Sequence, residues 1–261
     1  MTDETASHPA GKYGYLKESH EPRLMAHLLL ADGVTPISGY SAFDATHGIG
    51  ENDWGMDYND QYGDCGFAAC DHYNVSKSGQ VGLIGKFGTS KYANLIDAYF
   101  AYGISQGEPG PHPDQGVSNA TMLAWALSEG FIFGYAEVQP EYLDWFASQF
   151  GGALLGLVID GTTASNDFGS TPRQPWDKMG KADGHDTLYV QSIGDGTGTL
   201  VTWGGLQPFS SSFRASNITD AWVIFDQYDP SVNWPALEAA LADVNGTDVP
   251  PVAPSPPTTE A

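Results

Sequence analysis

The sequence predicts an α+β fold, and three observations lead there. Apolar residues recur at three-to-four-residue spacing in several segments before residue 151. After it, short β-branched and aromatic runs separated by Gly-rich turns take over. The two kinds of segment are segregated along the chain, where βαβ units would alternate them. The expected architecture is an N-terminal helical half, residues 52–150, whose central helix packs on a C-terminal antiparallel, barrel-like sheet, residues 151–245.

Taken in order, residues 1–12 are polar and read as a mobile tail. Residues 13–51 read as an extended arm over the surface, with a short helix before Ala31 and Tyr40, Phe43 and His47 as anchors. In residues 52–64, Trp54 and Met56 are apolar pegs leading to the turn Gly63-Asp64-Cys65-Gly66. The Ala-rich run after that turn predicts the central helix, residues 65–76. A link over 79–88 leads to a helix at 89–104, capped by Thr89 or Ser90, with Tyr92, Leu95, Ile96, Tyr99 and Phe100 on one core face. Residues 106–115 are a Gly- and Pro-rich loop. A helix at 116–130 takes Ser118 as cap and Gly130 as stop. Residues 131–138 form a short strand or extended turn, and 140–150 a helix that starts on Pro140 and stops at Gly151-Gly152.

In the second half, ALLGLVI at 153–159 is a buried strand. Residues 160–183 look irregular. Strands are expected at 185–192, 199–203, 209–213 and 221–225, and a closing helix at 229–244 with Trp234, Leu237, Leu241 and Val244 as its stripe. Residues 246–261 are a Pro-rich tail expected to be disordered.

The 261 residues carry 10 Lys and Arg against 32 Asp and Glu, a formal charge of −22. Phosphate backbones and anionic membranes would be repelled, so neither nucleic acid nor a membrane is an expected partner. The 41% hydrophobic and 12% aromatic content fits a globular domain. Met1-Thr2-Asp3-Glu4 lacks the basic start of a secretory signal, and residues 24–31 are too short for its apolar core. Cys65 and Cys70, five apart on one helix, face different sides and are not expected to pair. A chain without disulfides suits a reducing compartment, cytoplasmic when made.

Chemistry concentrates in three stretches. Gly63-Asp64-Cys65-Gly66 sets a thiol at a helix N-terminus, where orphan N–H groups and the macrodipole favour a thiolate. Far downstream, Gly184-His185-Asp186 offers a base, and Val201-Thr202-Trp203-Gly204 makes a corner. Cysteine hydrolases of one class follow this order. Asn59, six residues before Cys65, is either an oxyanion donor or plain turn chemistry. The bland reading of Cys65 is a buried packing cysteine. Cys65, Cys70 and His72 as a metal site would lack a fourth ligand and the usual spacing, so neither a metal nor another cofactor is expected.

These stretches together resemble the papain-like cysteine peptidases. The resemblance implies Cys65 as nucleophile, His185 as general base, Asn59 at the position of an oxyanion-hole Gln, and Trp203 as shield of the histidine. It departs at Val201, where the family has the Asn that orients the histidine; Thr202 or Asp186 would have to serve instead. A narrower likeness runs from about residue 52 to 245, through Asp53-Trp54-Gly55-Met56, Trp125, Phe150-Gly151-Gly152, Trp176 and Thr202-Trp203-Gly204. It is to uncharacterised papain-like proteins of bacteria and tailed bacteriophages. The resemblance implies a hydrolase of peptide, isopeptide or related acyl bonds with a peptide or protein substrate. The alternative it leaves open is a catalytically inactive scaffold, such as a virion head or tail protein among other virion proteins.

Overall fold

The structure, a computed structural model, describes residues 24–79, 87–88 and 90–245. The expected tails at 1–12 and 246–261, the first part of the arm, most of the 79–88 link and the Thr89 cap lie outside the described residues.

The arm is more deeply built in than a surface strap. A single 3-10 turn, Ala26–Leu28, is followed by strand β1 (Ala42–Asp44), while Leu24, Ala26, Leu29 and Ile49 are buried. The central helix α1 (Cys65–Ser78) begins at the Cys65 peptide and ends on Gly79, whose φ of 62° is the left-handed geometry a helix stop requires. Most of its side chains are buried on every face, as befits a helix in the middle of the molecule. Helix α2 (Leu95–Ser105) starts later than the apolar pattern suggests, because the Asn94 side chain accepts from Asp97 N at 2.9 Å and caps it. Tyr92 therefore precedes the helix, stacked on Trp125. Ser118 caps α3 (Asn119–Ser128), its hydroxyl accepting from Thr121 N. Strand β2 (Gly134–Glu137) and a Pro140–Tyr142 turn lead to α4 (Leu143–Phe150), stopped by Gly151 at φ 82°.

Strand β3 (Ala153–Ile159) precedes α5 (Gly161–Gly169), which corrects the irregular reading of that segment. GTTASNDFG has little apolar periodicity; the Asp160 side chain starts the helix by accepting from Thr163 N at 2.8 Å. Then come β4 (Asp183–Ile193), β5 (Gly198–Thr202) and β6 (Gly205–Phe209). The strand expected at 209–213 is the end of β6 followed by α6 (Ser211–Asn217), capped by Ser210. Strand β7 (Ile218–Phe225) and α7 (Trp234–Asn245) close the fold.

The sheet order is β2-β7-β3-β4-β5-β6, all antiparallel, with β1 on the end of β4. Among the described residues this ladder is an open path, and it takes the place of the barrel-like arrangement expected. Segregation is also incomplete, since β1 and β2 come from the first half of the chain. Strand β4 organises the site: it lies between β3 and β5 and packs against α1, so residue 185 on β4 and residue 65 at the head of α1 belong to neighbouring layers. A buried ion pair ties the arm to this scaffold. Arg214 Nη1 lies 2.6 Å from Asp144 Oδ1, and the same carboxylate accepts from Ser41 N, Tyr189 OH and Ser192 Oγ.

Candidate active site

The sulfur comes first. Cys65 occupies the first helical position of α1, so its N–H is one of the orphan donors of the helix start. The side chain is 1% exposed, and its thiol donates to Asp186 Oδ2 at 3.7 Å. Asn119, on α3, donates to the other oxygen of that carboxylate at 2.9 Å. Asp64, the residue before Cys65, is wholly buried and serves as N-cap residue without a side-chain capping bond. Burial pushes the Asp64 carboxyl up to about 8; the hydrogen bond from Asn59 opposes this, and the charges of Asp57 and Asp114 reinforce it. Asn59 is itself buried, with Nδ2 3.4 Å from Asp64 Oδ1. The amide thus stands beside the residue preceding the sulfur.

The imidazole is held from two sides. His185 Nε2 lies 2.7 Å from Thr202 Oγ1. The Trp203 indole stacks on the ring at 5.1 Å between centroids and 29° between planes. His185 is 1% exposed, and burial, helped by the positive charge of His72, depresses it to about 3. The backbone explains the indole's position. Thr202 pairs with Gly205 across a two-residue hairpin turn in which Trp203 has φ 45° and Gly204 φ 76°. A bulky residue with positive φ is an outlier costing of order 1–3 kcal/mol, retained where its surroundings over-determine it. Here the turn lays the ring across the histidine.

The corner meets the approach to Cys65 directly. Gly55 bridges Gly204, and Trp54 N donates to Gly204 O at 3.3 Å. A Cβ on Gly204 would fall 2.9 Å from the Gly55 carbonyl carbon, so only glycine permits this approach. Beside the corner lies a recess of about 330 Å³ lined by Met56, Phe168, Arg173, Trp203 and Gly204. Arg173 lies across the Phe168 ring at 3.9 Å.

The fold therefore brings His185, Thr202 and Trp203 into one cluster, and Cys65, Asp186, Asp64 and Asn59 into another at the head of α1. Of the two residues considered as orienters, Thr202 stands at hydrogen-bonding distance from the His185 ring, while Asp186 has its carboxylate on the Cys65 sulfur and Asn119. Asn119 escaped sequence reasoning because it looks like an ordinary first-turn helix residue. From the sequence, His72 stands out only as a candidate metal ligand beside Cys65 and Cys70. In the structure its Nε2 faces Gly55 O at 3.0 Å and Asp57 Oδ2 at 3.3 Å. Its position two turns after Cys65 was the available signal. Among the described residues no group of three or more His, Cys, Asp or Glu could hold a metal ion, and no helix is long and apolar enough to cross a membrane.

Comparison with solved structures decides the fold. Xylellain, a cysteine protease from Xylella fastidiosa, superposes with a TM-score of 0.55 at 12% sequence identity, over 84% of this chain and 97% of that one. The chain shares its fold with a cysteine protease. This agrees with the papain-like architecture expected from the sequence. No protein-family model matches the chain, and no curated protein matches it.

Proposed function

We propose that this chain is a papain-like cysteine hydrolase acting on a peptide, isopeptide or related acyl bond in a peptide or protein substrate. The observation that carries the reading is the His185 cluster: a buried imidazole fixed through Nε2 by Thr202 and covered by Trp203. With Nε2–H donated to the Thr202 hydroxyl, Nδ1 is the basic nitrogen, and the ring's orientation is set as an orienting Asn would set it. His185, neutral at pH 7, takes the proton of Cys65 as the sulfur attacks the carbonyl carbon. The Cys65 N–H and the Asn59 amide hold the oxyanion, each good donor worth roughly 3–4 kcal/mol of barrier. His185 then gives its proton to the leaving amine, and water hydrolyses the thioester. The recess beside Trp203 gives part of the substrate an apolar seat against the indole that covers His185. Synthesis in the cytoplasm belongs to the same reading.

One observation favours a second reading, a catalytically silent scaffold, of which a virion component would be one instance. Cys65 and His185 are each only 1% exposed, so a substrate must displace covering groups to reach them. A thiol-directed alkylating probe separates the readings. The hydrolase predicts rapid alkylation of Cys65 near pH 7, slowed at least tenfold in His185→Ala and abolished in Cys65→Ala, with the fold retained in both. Sluggish labelling that ignores His185→Ala establishes the scaffold.

A further inference from the structure

His72 lies outside the reacting groups, yet its contacts join the parts that the reaction needs in register. It sits on α1 two turns below Cys65, about 10 Å along the helix axis. Its Nε2 faces Gly55 O at 3.0 Å and Asp57 Oδ2 at 3.3 Å, and its ring stands edge-on to Trp54. Gly55 is the residue whose backbone meets Gly204, next to the indole that covers His185. One peptide is thus held on one side by the His185 corner and on the other by α1. Downstream, Asp57 and Tyr58 have φ of 51° and 69°, two successive non-glycine residues in left-handed geometry. Such geometry costs roughly 1–2 kcal/mol per residue and persists only where neighbouring contacts enforce it. The turn closes with Asn59 N donating to Met56 O at 3.0 Å, and its exit presents the Asn59 side chain to Asp64.

We propose that His72 is a positioning residue for the Cys65–His185 pair: by clamping Gly55 and Asp57 onto α1, it holds the Asn59 amide, the head of the nucleophile helix and the Trp203 corner in one fixed arrangement. The inference rests on the hydrolase reading and deepens it. Nε2–H can donate to Gly55 O from the neutral ring or the cation, whereas the Asp57 contact is an ion pair that the protonated ring completes. The charge also reaches His185. Asp57 faces the ring from the loop, Asp71 adds its charge from α1, and His185 on β4 feels the charge of the ring. Burial works against the cation; the Asp57 hydrogen bond and charge, the Gly55 carbonyl and Asp71 outweigh it and raise His72 above its ordinary value. When His72 carries its proton, that charge helps keep His185 neutral.

The test compares wild type, His72→Gln, His72→Leu and Asp57→Asn by the rate of Cys65 alkylation as a function of pH, with thermal unfolding alongside. Gln keeps a donor and removes the charge. The expected result is a rate near wild type in His72→Gln, with the limb of the profile that reports protonation of His185 moved to higher pH. His72→Leu should slow alkylation at least tenfold, since misplacement on the ångström scale is enough for such losses. Should the Leu variant fail to fold, Asp57→Asn carries the test: it removes the loop's half of the ion pair, so it should slow alkylation and move the same limb. A purely structural histidine would change unfolding and leave the profile in place. A wild-type rate in a folded His72→Leu, or, where that variant does not fold, a wild-type rate and profile in Asp57→Asn, overturns the inference alone. Slow wild-type labelling indifferent to His185→Ala overturns the hydrolase reading and this inference with it.

Discussion

Asp64→Asn should make the protein more stable at neutral pH, although it removes a carboxylate from a helix N-terminus. Two effects oppose each other. A carboxylate at the start of α1 gains about 0.3–1 kcal/mol from the helix dipole in an exposed setting. Against this, Asp64 is wholly buried, its Oδ2 has no hydrogen-bond partner among the described residues, and Asp57 and Asp114 add like charge. Burial wins, and the group is displaced from 3.8 to about 8. In the folded protein Asp64 keeps its proton across the range in which the unfolded chain loses it. The folded state then binds more protons than the unfolded one, so the group lowers stability as pH rises from about 4 to about 8 and has no further effect above that. At roughly 1.4 kcal/mol per pH unit, the deficit at pH 7 is about 4 kcal/mol.

Asparagine has nearly the same shape, still offers an oxygen to the Asn59 amide, and carries no charge to lose. Denaturant unfolding of wild type and Asp64→Asn from pH 4 to 8 measures the difference. It should be near zero at pH 4, widen by more than 1 kcal/mol per pH unit through the middle of the range, and reach several kcal/mol at pH 7. In a chain of this size that is a rise in Tm of roughly 10 °C. A difference that stays constant with pH, or an Asn variant less stable at pH 7, would refute the argument: Asp64 would then be an ionised cap.

Thr202→Val keeps the volume near His185 and removes the hydroxyl at 2.7 Å from Nε2, leaving a buried ring nitrogen unbonded. The loss should be about 1–3 kcal/mol by thermal unfolding, with Cys65 alkylation slowed at least tenfold; unchanged labelling would show that the hydroxyl does not orient the ring. Asp144→Ala strands Arg214 and also removes the acceptor of Ser41 N, Tyr189 OH and Ser192 Oγ. A cost of about 3–5 kcal/mol follows, read as a fall in Tm of roughly 10 °C.

What could be read from the sequence divides by the range of the interaction responsible. Ser118 announces α3 because a cap and its helix are neighbours in the chain. The same local chemistry also hides elements. Asp160 begins α5 in a segment with little apolar periodicity, and Asn94 displaces the start of α2 by outcompeting earlier candidates. The incorporation of residues 42–44 into the sheet was not legible, since it depends on an edge of β4 about 150 residues away. At the site, spacing pointed to Cys65, His185, Thr202 and Trp203 as a group to consider; the structure bonds His185 to Thr202, stacks Trp203 on it, and sets the Cys65 sulfur against Asp186. Spacing could not show that Asp186 turns toward the sulfur, nor that Asn119 holds it there. Nor could it show that Gly55 and Gly204 touch, because that contact joins the helical approach to a hairpin turn formed much later in the chain.

The protonation states around the site are mutually dependent. At pH 7 the Asp64 carboxyl keeps its proton, the Asp57 contact favours a proton on His72, and His185 stays neutral. A neutral His185 can accept a proton, but only weakly while burial depresses it so far. Its share of folding stability is present above about pH 6.5 and is lost as pH falls toward 3, because the unfolded chain binds the proton first. Desolvation is the largest cause of that depression, so anything that admits water to His185 strengthens it as a base. Base strength and access to the sulfur are therefore two consequences of one opening. In a hydrolase the free protein must reach that opening often enough to admit a small probe, and substrate binding favours it further; in a scaffold, nothing does. Alkylation by a small probe would then rise on adding a substrate-like peptide too short to block the sulfur, whereas in a scaffold the peptide would leave the rate where it was.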